Sequence, residues 1–333
     1  MKNPKKLILI YAVLMLVFGL YSPVINSLIY FYESDTIKEI FEKPFFSYLG
    51  FISSILPRFP DHQTQLLLNI IGNGINTNSD GSRHNMSNTI TAMKIFSPFL
   101  ICWVVLFVGT IQYFKNNKTK LLLFIFAVSF LGHSFSFLYP LSNLVFDVKT
   151  ILYGFYSSID PENVNLILFH VLLNVIHLFI LFKIISFLRK SESLKVEDNS
   201  LIETSKGRRF WGRCIEIILI VFYGWQFSIF YMAMVKTLWI ESQSLSDYSQ
   251  LGLYNAFATL CYYLIFESIF QTTPAKILMG SRVVNRDAEK PSFLVILGRT
   301  LCRFIPFESF LFLIGYRLHD TFSNTNVYDT EEQ

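Results

Sequence analysis

The sequence predicts an all-α polytopic transmembrane protein: about six spanning helices, with seven as the alternative, plus an interfacial or re-entrant helix pair near the C-terminal end. Three observations carry that expectation. Hydrophobic residues make up 52% of the 333 and charged residues 16%, far from the usage of a soluble domain. The apolar residues are concentrated, so that residues 7–31, 95–114, 121–146, 163–182, 217–235 and 251–266 contain no Asp, Glu, Lys or Arg. Runs near ~20 residues, at 1.5 Å per residue, match a hydrocarbon core of ~30 Å. The third observation is where the cations fall. With the N-terminus inside, the cytoplasmic segments hold 20 of the 28 Lys and Arg residues and the outer segments seven, with Arg317 unassigned. Insertion keeps cationic loops cytoplasmic, so this bias sets the orientation.

The first run follows Lys2, Lys5 and Lys6. It is long for the apolar part of a signal peptide and no small-x-small cleavage pattern follows, so an uncleaved anchor is expected. Four spans near 7–31, 95–114, 121–141 and 164–188 form an N-terminal region, 1–190. Its outer loop, about 32–94, is too long for a simple turn. Phe45, Tyr48, Leu49, Ile52 and Ile55 recur in it at helical spacing, which suggests a helix on the outer leaflet. Asn73-Gly74 and Asp80-Gly81 mark turns, and 76–82 reads as mobile. His62 and His84 lack ligand spacing and read as solvated.

Residues 191–208 are polar with mixed charge and read as a flexible cytoplasmic linker. A second transmembrane domain, 209–329, follows with spans near 214–235 and 251–270, then a tail, 330–333. Arg299 and Arg303 interrupt the apolar stretch 292–305 and Pro306 breaks it. The remaining 307–318 is too short to span, hence the interfacial or re-entrant pair. No internal repeat relates the two halves, which counts against an inverted-repeat transporter.

Within the second domain the polar groups come in a distinctive order. Phe210-Trp211-Gly212-Arg213 and Glu216 are followed by Glu267 and Thr273-Pro274-Ala275-Lys276, then by Val283-Val284-Asn285, Arg299 to Glu308, and Leu318-His319-Asp320. In combination these resemble the RDD family of bacterial membrane proteins, over residues ~205–329. Arg213 matches the family's N-terminal arginine, Glu216 its first acidic position, Glu267 the acid ahead of its Thr-x-Gly-Lys turn, and His319-Asp320 its terminal His-Asp. Two positions depart from the pattern: Ala275 stands where the family has glycine, and Glu216 where it has aspartate. The resemblance implies an integral protein of the bacterial inner membrane, and transport, including cation–proton exchange, has been suggested for the family. Residues 1–190 carry no recognisable resemblance.

Arg213 and Glu216, three apart, share a helix face at the cytoplasmic start of one span, and Glu267 lies at similar depth on the next. Arg299, Arg303, Glu308 and Asp320 belong to segments placed on the same inner surface. The cluster reads either as a salt-bridge network that docks the C-terminal segment or as a cation or proton site. A neighbouring arginine lowers a carboxyl pKa, so a carboxylate locked to Arg213 is a poor proton carrier; Glu267, if left unpaired, is the better one. A second polar set lies in the N-terminal half. Ser129, His133 and Ser136 line one face of the third span, and His170, Asn174 and His177 one face of the fourth. Hydrogen-bonded helix packing is the ordinary use of such groups, with a water-filled path or a haem or metal site as the alternatives.

The net charge of +4 follows the membrane topology, and no basic stripe interleaved with aromatics suggests nucleic-acid binding. Cys102, Cys214, Cys261 and Cys302 have no paired spacing and read as small apolar residues. Catalytic motifs of the hydrolase, zincin, P-loop and Rossmann types are absent from the sequence, so no enzyme, cofactor or metal is expected. The favoured expectation is a transporter of the cation–proton exchange type. The alternative is a non-enzymatic membrane scaffold or assembly factor, touching anionic lipid headgroups at the inner leaflet and a membrane-protein partner or a second copy of itself.

Overall fold

The computed structural model describes residues 4–18, 101–134, 161–197, 200–220, 247–304 and 318–332 of the chain. The described residues are mostly helical, and the chain divides into two compact units, Met1–Ile125 and Phe126–Gln333. The proposed outer-leaflet helix, the turns and both histidines of the outer loop, and Ser136, Pro306 and Glu308 lie outside the described residues.

The first unit holds α1 (Pro4–Phe18), α2 (Ile101–Asn116) and the start of α3 (Lys120–Ser134). Ile8, Tyr11, Ala12 and Met15 lie three or four apart or adjacent, so they share one buried face of α1; Ile10, Val13 and Val17 are exposed. Trp103 Nε1 of α2 donates to the Leu16 carbonyl at 2.7 Å, tying the two helices. α2 ends at Asn117, whose φ of 53° is the left-handed conformation asparagine tolerates, and its N–H bonds to the Tyr113 carbonyl. Gly109 faces the next helix closely, since a Cβ there would stand 2.9 Å from the Leu122 backbone nitrogen.

The second unit continues α3 and adds α4 (Pro161–Arg189), α5 (206–220), α6 (Asp247–Phe270), α7 (Pro274–Met279), α8 (Phe293–Cys302) and α9 (Leu318–Phe322). Within α4, Val171–Arg189 is long and apolar enough to cross a membrane, the one such helix among the described residues. Leu168, Leu172, Val175, Ile176 and Phe179 form an exposed apolar face along it. Phe130 of α3 meets Phe266 and Phe270 of α6 edge-on, and Phe182 of α4 also packs on Phe270. These aromatic pairs hold the three helices together.

The expectation of an all-α chain is corrected by five strands. β1 (Glu192–Leu194), β2 (Val196–Glu197) and β3 (Ser200–Leu201) lie in the stretch read as a flexible linker; β4 (Ser281–Asn285) follows α7, and β5 (Thr325–Glu332) ends the described chain. The sheet order is β1-β5-β4 and both pairings are antiparallel, with Ser193 opposite Glu331 and Val283 opposite Val327. β2 and β3 form a small hairpin. Further backbone bonds run from Thr204 N to Val327 O and from Asp329 N to Ile202 O, so the linker clasps β5 along much of its length. β5 also absorbs most of the expected tail. β1, β4 and β5 pair only with strands remote in sequence, so long-range pairing makes them strands.

Val283 and Val327 point to the same sheet face and pack with Ile296 of α8 and Leu264 of α6. α8 is inverted relative to a helix in water: Leu294 is 75% exposed while Arg299 is 0% exposed. Phe293, Leu294, Leu301 and Phe304 look outward, and Ile296, Arg299 and Thr300 look inward. This fits the expected short helix with one face in an apolar medium.

Candidate functional site

The polar faces of α5, α6 and α8, the α7 turn and the α9–β5 segment converge on one buried network of ion pairs. α7 begins where Thr273 caps the helix by accepting from the Lys276 backbone N–H, with Pro274 at the first helical position. It ends at Gly280, whose φ of 65° is the left-handed cap that glycine adopts without a side-chain clash. This one-and-a-half-turn helix aims Lys276 between two carboxylates. Its Nζ lies 2.6 Å from Glu267 and 3.2 Å from Glu216.

Glu216 is buried. It accepts from the Tyr263 hydroxyl at 2.6 Å and from the Thr273 hydroxyl, while Arg213 Nη1 stands 3.7 Å away. Arg213 also donates to the Tyr263 hydroxyl. The Tyr263 ring is flanked by the cations: the Arg303 guanidinium carbon lies 3.6 Å from its centroid, and Arg213 and Lys276 each about 5.5 Å away.

Glu267 is 0% exposed and is the centre of the network. Besides Lys276 it meets Arg303 Nη2 at 2.8 Å and Arg299 Nε at 3.3 Å. The condition under which it would carry a proton, an unpaired side chain, is therefore not met. Protonating it would leave three neighbouring cations without this counter-charge. Arg213, expected on the same helix face as Glu216, stands 3.7 Å from it, whereas Lys276 and Arg303 make the closer contacts to the carboxylates.

Arg299 extends the network to Asp320, with which it forms a direct ion pair, and to the Thr325 hydroxyl. Arg209 holds the other Asp320 oxygen at 2.8 Å and uses its remaining donors on the Thr204 and Val327 carbonyls and on Asn326. His319 Nε2 lies 3.3 Å from Asp320. Burial alone would raise the Asp320 pKa, but Arg299, His319 and Arg209 outweigh it and hold the group at about 2. One continuous chain of charge thus joins α5, α6, α7 and α8 to the sheet.

Of the residues predicted from sequence, Arg213, Glu216, Glu267, Arg299, Arg303 and Asp320 come together here. Lys276, Arg209, Tyr263 and Thr273 were missed. Their signals were present: Arg209 stands four residues before Arg213, Tyr263 four before Glu267, and both spacings place them on the already chosen helix faces. Lys276 sat within the quoted Thr-Pro-Ala-Lys turn. Ala275 needs no left-handed backbone, because it lies inside α7 and is not among the positive-φ residues.

The polar stripe also assembles in part. His133 Nδ1 and Asn174 Oδ1 are 3.0 Å apart, and the His133 and His177 rings stack at 5.0 Å with 20° between planes. Ser129 is buried. The His170 side chain lies outside the described atoms. Among the described residues no group of three His, Cys, Asp or Glu side chains is placed to hold a metal ion.

The order of Arg209, Arg213, Glu216, Glu267, Lys276 and Arg299 along the chain, now seen as one network, can be compared with known families. The family model that matches is RDD, over residues 204–318. This stretch is similar to the RDD family. RDD is a family of membrane proteins, which agrees with the apolar outer faces of α4 and α8. The match spans about a third of the chain, and β1, Asp320 and β5 lie outside it. Those elements complete the ion-pair network from beyond the matched region. Comparison with curated proteins and with solved structures gave no match.

Proposed function

We propose that the protein is a non-enzymatic scaffold of the bacterial inner membrane, in which the RDD region clamps a cytoplasmic sheet beneath the spanning helices. The observation that carries this reading is Glu267, fully buried and in contact with Lys276, Arg299 and Arg303. A carboxylate so held suits fixed docking, since removing one member of a buried pair strands the others. The topology in this reading has six spans and a cytoplasmic N-terminus, supported by the apolar runs and the distribution of Lys and Arg. β1, β4 and β5 share one sheet and so lie on one side of the bilayer, which brings the C-terminal strand to the cytoplasmic face together with the linker. Hydrogen exchange tests the clamp. In Arg299→Gln the amides of β1, β4 and β5 should lose protection together, whereas unchanged protection of β5 would count against a docking role.

A second reading, transport of the cation–proton exchange type, draws on a different observation. His133, Asn174 and His177 meet within apolar helices of the second unit, and imidazoles titrate near neutral pH. Under it, His133→Ala in liposomes abolishes proton-coupled cation flux while leaving the ion-pair network intact; unaltered flux would end that reading.

A further inference from the structure

The two sides of α8 are fixed to different surroundings. Phe293, Leu294, Leu301 and Phe304 are exposed, and Gly298 stands on the same side, where an added Cβ would meet no atom of the described residues within 4 Å. Positions 294, 298 and 301 are four and then three apart, so they form one stripe. The opposite side is held. Arg299 Nε lies 3.3 Å from Glu267 and its Nη1 pairs with Asp320, while Arg303 Nη2 lies 2.8 Å from Glu267. With both arginines engaged, the helix cannot roll to hide its leucines. An exposed apolar patch of this kind calls for an apolar partner.

The contacts of α8 set its depth. The Arg303 guanidinium stacks on the Tyr263 ring at 3.6 Å, and Ile296 belongs to the small core, with Val283 and Val327, that packs against Leu264. Ile296 and Arg303 are seven residues apart, about 10 Å along a helix axis, yet they meet α6 at adjacent residues. α8 therefore crosses α6 instead of running beside it.

Two observations put that crossing at the edge of the hydrocarbon. Val283 and Val327 belong to a sheet, and open strand edges do not occur in lipid, so the level of Leu264 borders water on the sheet's side. On α5, Trp211 is 63% exposed, and Arg213, two residues on, shares the Tyr263 ring with Arg303. An exposed aromatic of the kind enriched at membrane interfaces thus lies at the level of α8. From that level α6 runs back through the charge-free stretch 251–266, into the bilayer. The outward face of α8 is continuous with that apolar zone.

We infer that the outer face of α8 rests on the acyl chains of the inner leaflet, and that this contact holds Arg299 and Arg303 on Glu267, so that the membrane itself keeps the sheet clamp closed. The clamp is that of the scaffold reading, on which this inference rests; the lipid is its partner and its control. One ten-residue helix carries both the lipid-facing leucines and the paired arginines, so loosening one face loosens the other. Amphipathic helices in the interface bind in proportion to their buried apolar area and respond to lipid packing.

The test uses the full chain, with its four native cysteines replaced by alanine, in vesicles of phosphatidylethanolamine and phosphatidylglycerol. A bimane on Leu301→Cys should lose about half its fluorescence or more when the acyl chains are brominated, whereas a bimane on Arg286→Cys, in the exposed turn after β4, should lose little. Absence of quenching at 301 overturns the lipid contact, whether water or a second copy covers the face. Hydrogen exchange in the same vesicles reads the coupling. Leu294→Gln with Leu301→Gln, which keeps helix propensity, should speed exchange of the β4 and β5 amides about tenfold, and unchanged exchange overturns the coupling. If Arg299→Gln also leaves these amides protected, the clamp itself has failed; if Arg299→Gln exposes them and the leucine pair does not, only the lipid control falls. Should the double variant not accumulate, Gly298→Leu is compared with Gly298→Gln, two residues of similar helix propensity. Slower exchange in the leucine variant supports the coupling, and equal exchange overturns it.

Discussion

Replacing Glu267 with glutamine keeps the side chain's length and removes its charge from the middle of the network. Three cations lose their shortest or second contact: Lys276 at 2.6 Å, Arg303 at 2.8 Å and Arg299 at 3.3 Å. They are not equally affected. Lys276 retains Glu216 and Arg299 retains Asp320, but Arg303 keeps only the face of Tyr263 and the more distant charge of Glu216. Breaking a buried pair by removing one partner costs about 3–5 kcal/mol, and here the position is fully excluded from solvent. At roughly 2–4 °C per kcal/mol for a unit of this size, the melting temperature should fall by roughly 10 °C. Intrinsic fluorescence of detergent-solubilised protein reads this directly. Arg213→Ala is the control, because its side chain is 30% exposed and 3.7 Å from Glu216, so a loss of about 1 kcal/mol or less is expected. A melting temperature for Glu267→Gln within a degree or two of wild type would refute the reasoning, because buried cations of this kind cannot lose their counter-charge without effect.

Three further outcomes follow from the geometry. Asp320 is held at about 2 against an ordinary 3.8, so it contributes roughly 2 kcal/mol above pH ~4 that disappears as pH falls toward 2; Asp320→Asn should remove that acid limb from a stability-versus-pH curve. Gly109→Ala places a Cβ 2.9 Å from the Leu122 backbone nitrogen and should cost about 1–3 kcal/mol in thermal unfolding, with a neutral result showing that α2 and α3 stand further apart. Ser193 faces Glu331 across β1 and β5, so Ser193→Cys with Glu331→Cys in a background lacking the native cysteines should oxidise readily, while Leu194→Cys with Glu331→Cys, one residue out of register, should not.

The helices were legible because apolar runs of membrane length are a local property, and α2, α3 and α4 lie close to the spans expected near 95–114, 121–141 and 164–188. The short helix α8 was legible for the same reason: Arg299 and Arg303 interrupt an apolar run, and both turn inward to Glu267 while Leu294 and Leu301 turn out. The sheet was not legible. Glu192-Ser193-Leu194 has the composition of a linker, and it becomes a strand only because Thr330 to Glu332 pair with it from the far end of the chain. The site was half legible. Helix spacing placed Arg213 beside Glu216 and put Glu267 at their depth, but the choice of partner depended on α7, a six-residue helix whose aim at two carboxylates cannot be read from periodicity. Glu267 thus changed from a candidate proton carrier to a carboxylate held by three cations.

The central claim is that Glu267 is a structural counter-charge. It is tested most directly by cation-driven collapse of a pH gradient in everted vesicles carrying equal inserted amounts of wild type and Glu267→Gln. The account predicts that sodium or potassium produces no collapse dependent on Glu267, so the two proteins behave alike in flux and differ in stability. Collapse in the wild type that is lost in a Glu267→Gln protein of undiminished melting temperature would contradict it.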